Sequence, residues 1–407
     1  MSSEAAIDGP RSVARRRHDR VKAGVVSEEK RSVLSDHRAD DFDEVLLVAS
    51  ASRGGSSLLF DILRHHEGTC SPDGEHGKWY TLGGICYPAF ESDAIPSDFT
   101  SFDREQLLTD VLSDVGAATR SGDRTHRVDD ALLRLPLQFP HEDIPVEQVR
   151  ETLLDGASLD EVLPGLGISR EHYDAYAEGD ADSPLEADAI EERPFITSHD
   201  HKRGLTPEDF ERTLVLKTSV DAYRLEWISE QLFPDTEVSV VHLTRNPAAS
   251  INGLYDGWRL NRGFQTYDVG DLGLDNYEGS LWNYDLPPGW ERDGRLIDTC
   301  LRQWTQAHRH ILDGVGAFED VHRVAFEDLI TETDSTVTAV VDFAGLGESA
   351  LLDENVRDLN EVMTTKEPER GRWRHREELV RGAIERAGEP FETVVEELGY
   401  TEESGWI

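Results

Sequence analysis

The sequence predicts an α/β fold with a mainly parallel central sheet flanked by helices. Apolar runs that suit buried strands alternate with segments of helical spacing, and this alternation is typical of parallel sheets. A loop rich in glycine and serine joins the first strand to the first helix, as in anion-binding α/β proteins. With 407 residues, 38% of them hydrophobic, the chain is long enough to bury a sizeable core.

The predicted elements follow one another from Val45 onward. VLLVASASRGGSSLLFDIL, at Val45–Leu63, predicts a strand, a tight loop and an amphipathic helix. TLVLK at Thr213–Lys217 and EVSVVHL at Glu237–Leu243 predict two further strands, and we expect AYRLEWISEQLF between them to form a helix. Pro247 suits the first turn of the next helix. VHRVAFEDLI at Val321–Ile330 predicts a short strand that runs into a loop.

These patterns predict one domain with an arm and an insertion. Residues 1–40 are polar, and their positive cluster at Arg11–Lys22 lacks the apolar face of an interfacial helix, so we expect a disordered arm with at most peripheral membrane contact. Residues 41–400 are expected to form the domain. Within it, residues 97–212 are acidic and irregular, and we expect an insertion that acts as a lid over the carboxyl edge of the sheet.

The charge balance is strongly acidic. The formal net charge is −41, and the sequence contains only six lysines. We interpret this surface as that of a halophilic protein, in which carboxylates keep the protein hydrated at high salt. It argues against nucleic-acid binding, which needs a concentrated basic face. The lysines are Lys22, Lys30, Lys78, Lys202, Lys217 and Lys366.

The cysteines and the apolar runs restrict the class further. Cys70, Cys86 and Cys300 are odd in number and lack the spacing of metal ligands, so neither a disulfide framework nor a metal site is predicted. No apolar run approaches 18 residues, and the first 40 residues contain no signal-like segment. We therefore expect a cytoplasmic protein. No pattern in the sequence predicts its oligomeric state.

The loop SASRGGSS, at Ser50–Ser57, indicates which anion is bound. The phosphate loop of nucleotide triphosphatases has a lysine after its glycines, and this loop has none. Its spacing instead resembles the 5′-phosphosulfate loop of sulfotransferases, P-[RK]-S-G-[TS]-[TS], with Ser52 and Gly54 as departures from that pattern. The resemblance assigns donor binding to Arg53, Gly54, Gly55, Ser56 and Ser57.

Two later motifs resemble the same family. HLTRNPAAS resembles its 3′-phosphate motif, in which Arg245 would hold the phosphate in a forked pair. The serine that the family carries eight positions later is Gly253 here, so Ser250 or Asn252 is expected to supply that hydrogen bond. GRWR, which begins at Gly371, resembles the late G-x-W-[KR] segment, and this implies further donor contacts from Arg372, Trp373 and Arg374. AFEDLI, at Ala325–Ile330, is similar to the family's (Y/F)-E-D-L element.

The resemblance leaves two candidates for the catalytic base. The cytosolic members use a histidine two residues after a lysine, where this chain has Ser219 after Lys217. Other members use a glutamate shortly after the first helix, which corresponds to Glu75, and the neighbouring His76 competes with it because its unperturbed pKa suits a base. Lys217, retained in a chain poor in lysine, is expected to stabilise the leaving phosphate beside Arg53.

The resemblance thus implies a nucleotide-kinase-like sulfotransferase fold and transfer from 3′-phosphoadenosine 5′-phosphosulfate to a hydroxyl, without a metal. The acceptor stays open among small molecules, glycans and lipids; a glycan or glycolipid suits the sulfated surfaces of salt-adapted cells. Two alternatives remain: a non-catalytic nucleotide-binding protein of the same fold, and a nucleotide phosphotransferase.

Overall fold

A seven-stranded sheet forms the centre of the fold. The computed structural model describes residues 10–138, 144–157, 159–162, 201–260, 266–357 and 371–400. Four further short strands form two small sheets of two strands each. The strands are β1 (Glu44–Ala49), β2 (Thr69–Pro72), β3 (Val115–Ala118), β4 (Lys202–Gly204), β5 (Thr213–Lys217), β6 (Glu237–Thr244), β7 (Thr266–Asp268), β8 (Leu274–Asp275), β9 (Leu281–Asn283), β10 (Gly294–Arg295) and β11 (Val321–Ala325).

The order of the strands confirms the predicted α/β class with a mainly parallel sheet. The strands lie side by side as β11-β6-β1-β5-β2-β3-β4. All neighbours from β11 to β2 pair in parallel, whereas β3 pairs antiparallel with both β2 and β4. Successive residues of β1 point to opposite faces of the sheet, so Leu47 packs in one core cluster and Leu46 in another. Burial on both faces explains why this strand is a continuous apolar run.

Helices cover the sheet, and several begin or end where the sequence predicts. The helix after the first loop begins at Ser56, and Pro247 begins another. None of the helices that the structure describes combines the length and apolar character needed to cross a bilayer. The helices are α1 (Pro10–Val25), α2 (Glu28–Asp36), α3 (Ser56–Leu63), α4 (Gly77–Gly83), α5 (Arg104–Asp114), α6 (Arg124–Gln138), α7 (Val146–Leu154), α8 (Leu159–Val162), α9 (Leu225–Trp227), α10 (Pro247–Leu260), α11 (Leu296–Gly314), α12 (Phe326–Thr331), α13 (Thr333–Phe343), α14 (Ala350–Arg357), α15 (Glu377–Ala387) and α16 (Glu389–Glu397).

Two local expectations are wrong. The segment expected as one helix after β5 is divided into a 3₁₀ helix (Ser219–Tyr223), the short α9 and a π-helical turn (Ile228–Leu232). The segment after β11 is the helix α12 and not a loop. In both places, tertiary packing of buried side chains such as Trp227 and Phe326 overrides a weak local pattern.

The expectation of a disordered arm is wrong for the part of it that the structure describes. Residues 10–36 form α1 and α2, and Val21 and Val25 of α1 are buried in a cluster with residues of α6. Arg15 and Lys22 both pair with Asp110, a buried carboxylate of α5. The positive cluster of α1 is thus used to neutralise a buried acid, a pairing between distant residues that the local pattern does not show.

The segment 97–212 joins the main sheet, at least in its described parts. Its strands β3 and β4 extend the sheet beyond β2; α5 directly precedes β3, and α6 lies between β3 and β4 in the chain. Residues 139–143, 158 and 163–200 lie outside the described residues. The lid function of this segment stays a prediction.

Candidate functional site

Four adjacent parallel strands deliver the predicted site residues to one edge of the sheet. In the order β6, β1, β5 and β2, these strands are followed by Arg245, the loop 50–55, Lys217 at the end of β5, and Glu75. Carboxyl ends of parallel strands meet at the same edge, where open α/β sheets bind their ligands. The sheet therefore brings together residues that are up to 192 positions apart in the chain, the separation of Arg53 and Arg245.

The loop after β1 has an unusual backbone. Arg53 and Gly55 have φ angles of 61° and 92°, in the left-handed region that glycine tolerates best. The amide of Gly54 donates to the carbonyl of Ala51 at 3.0 Å. This tight turn leads directly into α3 at Ser56, so backbone N–H groups of the turn and of the first helical residues converge, as in other anion sites.

Close packing explains one departure of this loop from the sulfotransferase pattern. A Cβ atom at Gly54 would lie 2.7 Å from the carbonyl oxygen of Ala51 and closer still to Oγ of Ser50. A serine therefore does not fit at this position without a shift of the loop. A Cβ atom at Gly55 would overlap the ring of Phe326, the first residue of α12. Phe326 is a site residue that the sequence analysis did not assign.

Glu75, Lys217 and the loop meet in one cluster, which we call the reaction cluster: Ser57, Glu75, Lys217 and Thr218. The ammonium group of Lys217 pairs with Oε1 of Glu75 and donates to Oγ of Ser57 at 2.9 Å. Thr218 donates from its hydroxyl to Oε2 of Glu75 at 3.1 Å. The side chain of Lys217 is 3% exposed and that of Glu75 is 16% exposed. Thr218 is a second residue that the sequence analysis did not assign.

His76 lies in a different cluster. Its Nε2 is 3.0 Å from the hydroxyl of Tyr80 and 3.1 Å from the carboxylate of Asp221, and the residue is buried. Tyr80 also donates to Asp221 at 3.0 Å. The imidazole thus takes part in packing between α4 and the 3₁₀ helix Ser219–Tyr223. Of the two candidate bases, Glu75 is the one that contacts Lys217.

The side chain of Arg53 lies along α10. A Cβ atom at Gly253 would be 3.4 Å from the Cβ of Arg53 and 3.8 Å from its Nε. These are ordinary van der Waals distances, so close packing does not explain why Gly253 stands where the family pattern has a serine. Ser250 is buried in the first turn of α10, and Asn252 accepts from Arg376 at 2.9 Å. The structure thus uses Asn252 to hold a cation of the C-terminal segment.

Arg245 contacts both the loop and α12. Its Nη1 donates to the carbonyl of Arg53 at 3.0 Å, and its guanidinium carbon lies 4.5 Å from the centre of the Phe326 ring. The pKa of Arg245 is lowered to about 10, chiefly by burial and also by the cations Arg53 and Arg372, against the opposing effect of Glu327. Positive charge is therefore concentrated at this edge of an otherwise acidic protein.

The segment 371–376 is fastened to α10 by an acid that the sequence analysis did not single out. Asp256 is 2.5 Å from Arg376 and 3.7 Å from Arg372. Trp373 is buried, with the guanidinium of Arg374 5.5 Å from its ring centre, and Arg374 itself is exposed. Asn252 and Asp256 are four residues apart in α10, and this spacing of polar residues on one helical face is the signal that could have identified them.

A cleft of about 580 Å³ opens between α10, α12 and the C-terminal segment. Its volume lies within the range of ligand pockets, roughly 300–1,000 Å³. Its wall includes three arginines and the hydroxyl of Tyr400, which donates to Glu327 at 3.2 Å. The residues that line it include Arg245, Arg323, Glu327, Trp373, Arg374 and Tyr400.

The comparisons with known proteins give structural neighbours only. No family model matches the chain, and no curated protein matches it. The sulfotransferase domain of the Synechococcus olefin synthase is similar at 17% identity and a TM-score of 0.38, covering 83% of this chain and 89% of that chain. A Mycobacterium tuberculosis sulfotransferase is similar at 10% identity and a TM-score of 0.37, and the match covers 93% of this chain and 84% of that chain. A sulfotransferase of Alicyclobacillus acidocaldarius is similar at 14% identity and a TM-score of 0.35, and the match covers 89% of this chain and 97% of that chain.

Proposed function

We propose that the protein is a sulfotransferase that moves a sulfonyl group from 3′-phosphoadenosine 5′-phosphosulfate to a hydroxyl. The observation that carries this proposal is the reaction cluster, in which Lys217 joins Ser57 of the anion-binding loop to the carboxylate of Glu75. A cation, a proton acceptor and a cradle of backbone N–H groups at one point are what this transfer requires.

Each residue of the cluster has a role in the proposed transfer. Glu75 takes the proton of the acceptor hydroxyl as the acceptor oxygen bonds to sulfur and the bond from sulfur to the 5′-phosphate oxygen breaks. Lys217 and Arg53 stabilise the negative charge that develops on the departing phosphate. Thr218 orients Glu75 through its hydrogen bond to Oε2. His76 has no part in this proposal because its imidazole is engaged with Tyr80 and Asp221.

The residues present fit the donor. The loop N–H groups and Arg53 suit its 5′-phosphosulfate, while Arg245 and Arg374 at the cleft suit a second anionic group such as the 3′-phosphate. Phe326 holds the two parts together, since its ring contacts Gly55 on one side and Arg245 on the other. The loop lacks the lysine of a triphosphatase, and this favours the phosphosulfate over ATP.

For the acceptor we propose a small-molecule, glycan or lipid hydroxyl. The acidic composition supports a halophilic, cytoplasmic enzyme that does not bind nucleic acid, with at most peripheral membrane contact.

Glu75→Gln tests the proposal. Turnover with a cell-envelope glycan extract in molar KCl is expected to fall about 10²–10⁴-fold, because the amide keeps the shape of the carboxylate but accepts no proton. Affinity for adenosine 3′,5′-bisphosphate, measured by calorimetry, is expected not to fall, because the neutral amide competes less than the carboxylate with an arriving anion for Lys217. Glu377→Gln, which breaks the exposed pair with Arg381 instead, is the matched control.

Three outcomes would contradict parts of the proposal. Full turnover by Glu75→Gln would exclude Glu75 as the base. Magnesium-dependent turnover of ATP by the wild type would favour a phosphotransferase. Tight binding of the bisphosphate without transfer to any acceptor class offered would favour a non-catalytic nucleotide-binding protein.

A further inference from the structure

Two buried ion pairs lie next to the segment that carries Glu75, and one of them includes Asp73 of that segment. Lys202 of β4 donates to Asp73 at 2.6 Å, and both side chains are nearly inaccessible to solvent. Arg134 of α6 pairs with Asp114 at the end of α5 through two hydrogen bonds, one of them from Nε at 2.9 Å. Asp73 follows β2, Asp114 precedes β3 and Lys202 lies in β4, and these strands lie on the side of β5 away from β1 and its loop.

Arg134 contacts the Glu75 segment directly. Its Nη1 donates to the backbone carbonyl of Glu75 at 3.4 Å, while Nε and Nη2 are occupied by Asp114. A guanidinium group can make these contacts at once because its donors form a rigid fork, whereas an ammonium group cannot. The side chain is 3% exposed, so its position is set by packing as well as by charge.

The two pairs belong to one buried cluster. Pro72 and Val115 pair across β2 and β3, so Asp73 and Asp114 lie next to each other. Lys202 and His126 both lie against Gly116, and His126 is 3.0 Å from Asp130. Burial accordingly raises the pKa of Asp73; Lys202 opposes this, and Asp130 and Asp114 raise it further. Lys30 of α2 donates to Asp130 at 3.3 Å and brings a third cation into the cluster. Removing one member leaves an unpaired buried charge, so the members hold one another in place.

We propose that Arg134 is a positioning residue for Glu75. The pairs Arg134–Asp114 and Lys202–Asp73 hold residues 73–75 in the position in which the Glu75 carboxylate contacts Lys217. Asp114, Arg134 and Lys202 all lie in the segment 97–212. The segment therefore fixes the position of Glu75 in the reaction cluster, and this role is separate from any function as a lid. The inference rests on the proposed function for its effect on rate and on contacts alone for its effect on position.

Two variants test this inference. Arg134→Lys keeps the charge and the pair with Asp114 but loses the fork that also reaches Glu75. The double variant Arg134→Leu with Asp114→Leu removes both charges, so no buried charge is left unpaired if the single variant fails to fold. Arg150→Leu is the matched control. It breaks a partly exposed pair with Asp129, which lies on α6, the helix that also carries Arg134.

The first measurement is hydrogen exchange of the backbone amides in the full chain. In both test variants, exchange in residues 73–80 is expected to quicken about tenfold or more, and exchange in residues 50–57 and 371–376 is expected to stay as in the wild type. An unchanged rate in residues 73–80 would overturn the inference. An equal increase in all three segments would also overturn it, because it would show a general structural role.

The second measurement is steady-state transfer. The kcat of both variants is expected to fall about 10–100-fold, because a small misplacement of the base is costly, while KM for the donor stays unchanged. A raised KM with unchanged kcat would overturn the inference. Absence of transfer by the wild type would overturn the proposed function alone, since the exchange comparison would still decide whether Arg134 holds Glu75.

Discussion

The reaction cluster and the cleft handle charge in opposite ways. In the cluster, Lys217 is buried and already paired with Glu75. In the cleft, Arg245, Arg323 and Arg374 face Glu327 and Asp328, so cations outnumber carboxylates. Glu327 accepts hydrogen bonds from the amide of Asn246 at 3.0 Å and from Tyr400. The cleft therefore keeps an excess of positive charge in a protein whose net charge is −41.

Under the proposed function, this difference predicts a division of labour between the two regions. An open site with surplus cations contributes affinity for a polyanion before and after the reaction alike. A closed, paired site contributes little to ground-state binding, because an arriving anion must compete with Glu75 for Lys217. Its contribution is expected in the transition state, where charge develops at the phosphate oxygen. Substitutions in the two regions should therefore change different kinetic constants.

The largest effect is expected from Lys217→Met. We predict a fall in kcat of about 10²–10³-fold, because a donor aimed at developing charge is lost, with bisphosphate affinity within about threefold of the wild type. Steady-state kinetics and calorimetry measure the two quantities. Lys22→Met serves as the control, since Lys22 pairs with Asp110 away from the loop. A variant that loses affinity but keeps kcat would contradict the division of labour.

A smaller effect, on binding, is expected from Arg245→Lys. The ammonium group keeps the charge but loses the planar fork and the stacking over Phe326. We predict that the dissociation constant of adenosine 3′,5′-bisphosphate rises about tenfold, which corresponds to about 1.4 kcal/mol, while kcat at saturation changes little. Arg309→Lys, in an exposed pair with Asp313, is the control. A loss confined to kcat would show that Arg245 belongs functionally to the reaction cluster.

The smallest effect is expected on stability, from a residue outside both regions. The pKa of His18 is lowered to about 4, chiefly by burial and also by the cations Lys22 and Arg15, against the opposing effect of Asp110. His18 packs edge-on against Trp79, close in sequence to Glu75. In the unfolded chain this histidine takes up a proton near pH 6.5. The stability that neutral His18 contributes is therefore complete above pH 6.5 and is lost as the pH falls from 6.5 towards 4.

His18→Leu measures this contribution. Between pH 7.5 and 5.5, the wild type is expected to lose roughly 1 kcal/mol more of its free energy of unfolding than the variant. Chemical denaturation at the two pH values, in the same molar KCl, gives the comparison. Equal losses in the two proteins would show that His18 takes up its proton alike in the folded and unfolded states. Asp130, whose pKa burial raises to about 7, changes stability in the opposite direction and is common to both proteins.

Much of the site could be predicted because its signals are local. The loop with Arg53, the lysine that ends β5 and the arginine that follows β6 all stand directly after buried strands. Parallel strands place such residues at one edge. The residues that were missed act through contacts with distant parts of the chain. Phe326 packs on Gly55, Asp256 holds Arg376, and Arg134 holds Glu75.

The same reason explains the incorrect expectation for the N-terminal segment. A polar helix with few apolar residues has a weak periodic signal, and most of the evidence for α1 lies in its partners. Val21 and Val25 bury against α6, and Arg15 and Lys22 neutralise Asp110. A buried acid and its cation 88 positions away form no local motif.

By itself, the sequence determined the class of the fold, the strand ends that carry Arg53, Lys217 and Arg245, and the absence of a triphosphatase lysine in the loop. These follow from periodicity and from the backbone rules of strands, turns and helices, which act over a few residues. Only the tertiary structure decided between Glu75 and His76 as neighbours of Lys217, excluded a serine at Gly54, and joined the segment 97–212 to the reaction cluster. Those outcomes depend on close packing and on buried ion pairs, whose energies exist only when distant segments meet.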